Sequence, residues 1–322
     1  MTKFIAILAL ASASVLVAAL PAYGAEGPPA WAYPVNPPDF KLPPDDGAPR
    51  RVPDSTATYT LSQLRDRFIA PDWHPAEYPP MPEVVARGRK PDVFACGFCH
   101  RADGPGGPEN SSLAGLPAAY IVQQMADFKS GARKTSVPQR VPTQLMTSLS
   151  KAATDAEVAA AAAYFSALKP KSTIRVVETD TVPKSYVAGW FLAALKIGDK
   201  EPIGQRIIEV PEDLERFEYR DTHVQFIAYV PVGSIAKGEV LVKSGGSGKT
   251  IQCAICHGPD LKGLGAVPRI SGRSPSYNVR QLYDIKHGAR AGVGSALMKE
   301  VVSKLSEDDM VAIAAYLASQ AP

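Results

Sequence analysis

Three patterns of apolar and polar positions divide the chain, and each predicts a different kind of element. The first is an apolar run from Phe4 to Leu20, preceded by the single basic residue Lys3 and followed by the helix-breaking Pro21 and small residues around Ala22 and Gly24. This is the layout of a secretory signal peptide over 1–24, cleaved just after Gly24 or Ala25; the competing reading is a retained anchor, since the run is near the lower limit for a bilayer span. The second pattern is helical and fills 81–169 and 237–322, where the last helix of each region opens on a capping-type sequence, "TDAE" at Thr154 to Glu157 and "SEDD" at Ser306 to Asp309. The third lies between them, in 170–236. There "TIRVVET", "GQRIIEV" and "VQFIAYVPV" are β-branched and aromatic with turn residues between, which predicts short strands.

Residues 25–80 follow none of these periods. Residues 28 to 82 hold 14 of the 30 prolines, with one helical fragment, "TLSQLRDRF", among them. Such a segment is an extended wrap or a semi-rigid spacer. Its aromatics Trp31, Tyr33, Phe40, Trp73 and Tyr78 predict packing, because disordered linkers are poor in them. Nothing after the signal is apolar for long enough to span a membrane; "AEVAAAAAYFSAL" is too short and reads as an amphipathic helix. The mature protein is expected to be soluble and exported.

The two helical regions repeat one another. "YIVQQMADFKSGAR" (Tyr120 to Arg133) and "YNVRQLYDIKHGAR" (Tyr277 to Arg290) share 8 of 14 residues at an offset of 157. "LM" at Leu145 and Met146 matches "LM" at Leu297 and Met298, and "AAYF" matches "AAYL", both at an offset of 152, so the first copy carries five extra residues between Arg133 and Met146. Each copy reads as helix, CxxCH, Gly/Pro-rich loop, amphipathic helix, loop with a methionine, and final helix.

The repeat frame carries the chemistry. "ACGFCHRADG" places Cys96, Cys99 and His100 together, and "QCAICHGPDL" places Cys253, Cys256 and His257 together at the same offset of 157; these are all four cysteines. Two cysteines three apart with an adjacent histidine suit covalent haem c, in which both thiols become thioethers and the histidine is the proximal iron ligand. A zinc site would need ligands from distant segments and has no use for the following histidine. A redox dithiol lacks its βαβ setting, and plain disulfides, which export would favour, leave the histidine unexplained. Among the six methionines only Met146 and Met298 align with each other, which assigns them as the sixth iron ligands, in loops before the final helices; the plainer alternative is that both fill the core. Met125 aligns with Leu282 and Met310 with Val158, as core residues would. His74, His223 and His287 have no histidine at an equivalent position and are expected to be surface or structural. "GGSGKT" is not a phosphate loop, because Lys243 stands where its first glycine belongs.

On these residues, 81–169 and 237–322 resemble class I cytochrome c domains, and the pair resembles the two-domain, di-haem cytochromes of the cytochrome c4 type. The fold implied is mainly α: two class I cytochrome c domains with a β-containing insert at 170–236 and a proline-rich N-terminal extension at 25–80. The resemblance implies two covalent haem c groups (iron) with His/Met ligation, periplasmic electron transfer and no substrate pocket. It also implies a proline after each haem motif whose carbonyl orients the proximal histidine. Pro268 fits, whereas the repeat puts Ser111 at that place in the first copy, with Pro108 as a substitute.

The expected function is a carrier of single electrons between a respiratory donor, a dehydrogenase or quinol-oxidising complex, and an acceptor such as an oxidase or another cytochrome. The alternative is a di-haem enzyme of cytochrome c peroxidase type with one exchangeable ligand. A thiosulfate-oxidising enzyme with a cysteine ligand is disfavoured, since no cysteine is left over. The formal net charge of +3 becomes +2 without Lys3 and is scattered, which excludes a nucleic-acid partner.

Overall fold

The computed structural model describes residues 27–196 and 198–322, so the expected signal peptide lies outside the described residues. The first repeat holds α2 (Glu83–Ala86), after α1 (Leu61–Arg65) of the extension, then α3 (Cys96–His100), α4 (Ala118–Ser130), α5 (Val141–Ala152) and α6 (Asp155–Ala167). Its core gathers Val85, Leu116, Ala162 and Phe165, all at most 1% exposed. The capping sequence at Thr154 closes both ways, with Glu157 N–H donating to Thr154 Oγ1 at 3.2 Å and Thr154 N–H donating to Glu157 Oε2 at 2.8 Å.

Strands occupy the segment between the repeats: β1 (Ile174–Glu178), β2 (Thr181–Pro183), β3 (Ser185–Ala188), β4 (Phe191–Ala194), β5 (Lys200–Pro202) and β6 (Ile208–Pro211), then α7 (Leu214–Glu218) and β7 (Phe226–Val230). Central β7 pairs parallel to β1 and antiparallel to β6; β2 pairs with β5, and β3 with β4, as two antiparallel ribbons. The β2–β5 ribbons and α7 fall in stretches where the sequence pattern suggested nothing.

The second repeat follows as α8 (Ser234–Ser244), α9 (Ala254–His257), α10 (Pro275–Lys286), α11 (Ala296–Val302) and α12 (Glu307–Ser319). Here α8 crosses α12 at Gly238, where a Cβ would collide with the carbonyl of Ala312 and the side chain of Tyr316. Only glycine allows that approach. The first repeat has a four-residue helix, α2, ahead of its motif where the second has the eleven-residue α8.

The extension packs along the molecule. Tyr33 joins the core of the second repeat, its hydroxyl donating to Asp284 Oδ1 at 2.8 Å, while Arg280 donates to Ala32 O at 2.8 Å. Trp73, 2% exposed, donates through its indole N–H to Tyr219 O at 2.8 Å, and Tyr78 packs in the core of the first repeat. Trp31 and Phe40 are half-buried. The insert reaches both repeats: β6 supplies the buried Glu209, whose Oε2 accepts from Ser274 Oγ at 2.7 Å and Ser276 N–H at 3.1 Å at the start of α10.

Candidate functional site

Each CxxCH forms its own turn of helix, which sets the cysteine side chains on one side and ends at the histidine. The chain then leaves through a left-handed residue, Arg101 (φ 67°) in the first copy and Gly258 (φ 83°) in the second. Arginine is held in that unfavourable conformation by its surroundings: its guanidinium lies 4.7 Å from the Phe217 ring centroid and donates to Phe217 O at 3.2 Å.

The two histidines are oriented alike. His100 Nδ1 lies 2.8 Å from Ser111 O, and His257 Nδ1 lies 2.8 Å from Pro268 O. A carbonyl can only accept, so Nδ1 carries the proton and Nε2 keeps its lone pair. Burial lowers both pKa values, that of His100 to about 4, so the rings stay neutral, the state a metal requires. This corrects one expectation: Pro108 does not substitute for the missing proline, since its carbonyl accepts from Arg280 instead. Ser111 does the work because the interaction uses backbone, which any residue supplies. Burial also pushes the Cys96 thiol up to about 12 and the Cys253 thiol up to about 11, disfavouring thiolate chemistry.

Met146 and Met298 lie on α5 and α11, not in loops, which corrects a second expectation. Both are half-buried. Met146 lines the cavity beside Cys96, Cys99 and His100, and so does Met125; Met298 packs against the core of the second repeat. Met310 is 1% exposed within that core.

That first cavity is partly open to solvent. Its lining includes apolar Ile121, Phe128, Leu149 and Phe165 together with Arg133, Arg140 and, from the second repeat, Tyr277 and Arg280; the Arg133 guanidinium lies 4.6 Å from the Phe128 ring centroid. Nε of the lining Arg140, and of Arg290, which donates to the lining Gln124, is buried without a hydrogen-bond partner among the described residues, and Glu109, Glu157 and Asp284 line the same space. Burial alone would raise the Tyr277 phenol, but Arg133, Arg273 and Arg290 pull it below its ordinary range. A largely apolar cavity with buried guanidinium groups in its lining fits a flat macrocycle bearing carboxylates.

The arginine-bearing wall is also the boundary between the repeats, and its symmetry was missed in the sequence. Arg133 donates to Tyr277 Oη at 3.0 Å, to Gln281 Oε1 at 3.1 Å and to Gln124 Oε1 at 2.8 Å. Arg290 donates to Tyr120 Oη at 3.0 Å, to Gln124 Oε1 at 3.0 Å and to Gln281 Oε1 at 3.1 Å. Tyr, Gln and Arg at 120, 124 and 133 recur at 277, 281 and 290; each copy meets the other through the same residues. The five extra residues of the first copy fall where the chain crosses over, with Lys134 N–H donating to Ala289 O at 2.7 Å and Ser136 N–H to Asp284 Oδ1 at 2.8 Å.

A family model described as cytochrome C oxidase, cbb3-type, subunit III matches residues 234–317. Cytochrome c-554(548) of Halomonas halodenitrificans is 37% identical over 76 residues, covering 92% of that protein and 23% of this chain. The chain belongs to the class I cytochromes c, in the two-domain, cytochrome c4-like form. Cytochrome c4 of Azotobacter vinelandii is 28% identical over 228 residues, 69% of this cytochrome and 82% of that one. The thiosulfate dehydrogenase electron acceptor of Thiomonas intermedia (strain K12) is 28% identical over 235 residues, 71% of this cytochrome and 80% of the relative. Accordingly the cofactors are two covalently bound haem c groups, and the protein is a di-haem electron-transfer cytochrome.

Proposed function

We propose that Cys96 and Cys99 tether one haem and Cys253 and Cys256 the other, that His100 with Met146 and His257 with Met298 supply the axial ligands, and that the protein is an exported, periplasmic single-electron carrier. The observation that carries this reading is the repeat-equivalent pair of contacts from His100 to Ser111 O and from His257 to Pro268 O, both 2.8 Å, which prepare the same nitrogen of both rings for a metal. Bound haem supplies a one-electron Fe(III)/Fe(II) couple, and a methionine ligand raises its potential. The chain's own part is to hold the histidines neutral, present two soft sulfurs, and offer buried guanidinium groups to the carboxylates. Among the described residues no helix is long and apolar enough to cross a membrane.

Exchange with partners is assigned to the second motif. Phe98, within the first CxxCH, is 2% exposed because Ala70 of the extension packs in its cluster and Arg220 of the insert lies 3.5 Å over its ring. Its repeat equivalent Ile255 is 64% exposed, and Leu297 beside Met298 is 81% exposed. An exported dehydrogenase is the proposed donor and an oxidase or second cytochrome the acceptor; a relative's name as an electron acceptor supports the first half.

Carbon monoxide added to the reduced protein and peroxide added to the mixed-valence form test this reading. Inertness at both irons with rapid reduction by a small donor is expected. Fast ligand binding at one haem with peroxidase turnover would replace it by the di-haem enzyme.

A further inference from the structure

Outside both haem sites, three side chains from segments foreign to the two repeats meet at one point. We propose that His74, Glu77 and His223 bind a divalent cation of the zinc class, which clasps the N-terminal extension to the insert beside the first haem motif.

The three offer ligand atoms that all lie within 4.8 Å of one another. "HPAE" makes a single turn of 3₁₀-helix, Pro75–Glu77, behind His74. His74 is the residue that precedes and caps that turn, three positions before Glu77, which brings the two side chains within reach of one point. His223 comes from the loop before β7, pinned by its own N–H donating to Asp221 Oδ1 at 3.0 Å. That same oxygen is 3.0 Å from His74 Nε2, while Asp221 Oδ2 accepts from Arg216 Nε at 2.6 Å. A fully buried carboxylate holding one ring nitrogen and leaving the other to a cation is the usual support of a metal-binding histidine. Glu77 is similarly divided: Lys171 holds Oε2 at 2.8 Å, and Oε1 faces His223 Nε2 at 2.7 Å.

Two imidazole nitrogens and one carboxylate oxygen, with water in the fourth position, are a tetrahedral zinc set. Around the cluster the carboxylates of Glu77, Asp103 and Asp221 are matched by Lys171, Arg216 and Arg101, so the cation's charge is met by Glu77 itself and by Asp221 behind the His74 ring. The two rings stack at 3.8 Å with planes 7° apart, so both lone pairs reach one ion only if the rings splay. His223, its side chain 30% exposed, is the ring free to turn. Lys171 also lies 3.0 Å from Asp103, three residues beyond His100, which places the clasp against the first haem motif.

The test uses the full haem-loaded protein, stripped with chelator and titrated with Zn²⁺ alone. One saturable equivalent is expected in calorimetry, weakened at least tenfold by His223→Ala and by Glu77→Gln and retained by His287→Ala; unchanged haem absorbance and circular dichroism show that each variant is folded. Absorption fine structure at the zinc edge should show imidazole scattering from two histidines, and Zn²⁺ should slow protease cleavage of the extension in the parent only. No saturable binding, binding that survives both substitutions, an all-oxygen or sulfur-containing shell, or binding without protection of the extension would each overturn the proposal.

Discussion

At the residue scale the informative contrast is between two methionines in one cavity. Met125 on α4 and Met146 on α5 both line the space beside His100, so proximity does not choose between them. Repeat equivalence does: Met146 corresponds to Met298, and Met125 to Leu282. Met146→Ala should therefore remove one of the two contributions to the near-infrared sulfur-to-iron band. Met125→Ala should keep both and cost about 2 kcal/mol of stability, the low end for a truncated apolar side chain, because the residue is only half-buried. Loss of the band in the Met125→Ala protein would reverse the assignment.

At the scale of elements, α12 organises the second domain and two of its contacts make predictions. Gly238 lets α8 press against Ala312, so Gly238→Ala must push backbone from backbone, and a loss of about 3 kcal/mol in chemical denaturation is expected. At its other end Asp309, fully buried, caps α12 through Ser306 and pairs with Lys237 at 2.9 Å and Lys249 at 2.8 Å. Burial alone would raise its pKa; the two lysines and the cap hold it well below the ordinary range. A carboxyl depressed in the folded state contributes stability that is complete above the unfolded value, about 4, and is lost as pH falls through it toward the folded value. Acid unfolding followed from pH 5 downward should show this loss in the parent and a flatter profile in Asp309→Asn. At pH 7 that variant should be less stable by about 2 to 3 kcal/mol, less than for a fully buried pair because both lysines reach solvent.

For the molecule as a whole, the two repeats are joined by a reciprocal network centred on Arg133 and Arg290. The two guanidinium groups share Gln124 and Gln281 as acceptors, so neither contact is independent of the other. Arg133→Ala and Arg290→Ala should each cost about 1–3 kcal/mol in thermal unfolding, and the double variant should depart from their sum. Strict additivity would mean that the two copies make separate contacts.

The sequence by itself determined the repeat, the two CxxCH motifs and the caps on the final helices, because these rest on local spacing and on identity between copies. It also marked the extension as a packing segment through its aromatics. The helices that carry Met146 and Met298 could not be read, since α5 and α11 are held by packing on the preceding helices α4 and α10, which local spacing does not show. Nor could the carbonyl of Ser111: a backbone acceptor leaves no trace in residue type. The identities at Tyr120, Gln124 and Arg133 were visible as repetition but not as an interface, because a pseudo-symmetric contact joins residues 144 to 170 positions apart. Likewise His74, Glu77 and His223 are unremarkable in sequence. Only the folding of extension against insert brings them together, since side-chain chemistry at a site depends on distances in space that chain order does not encode.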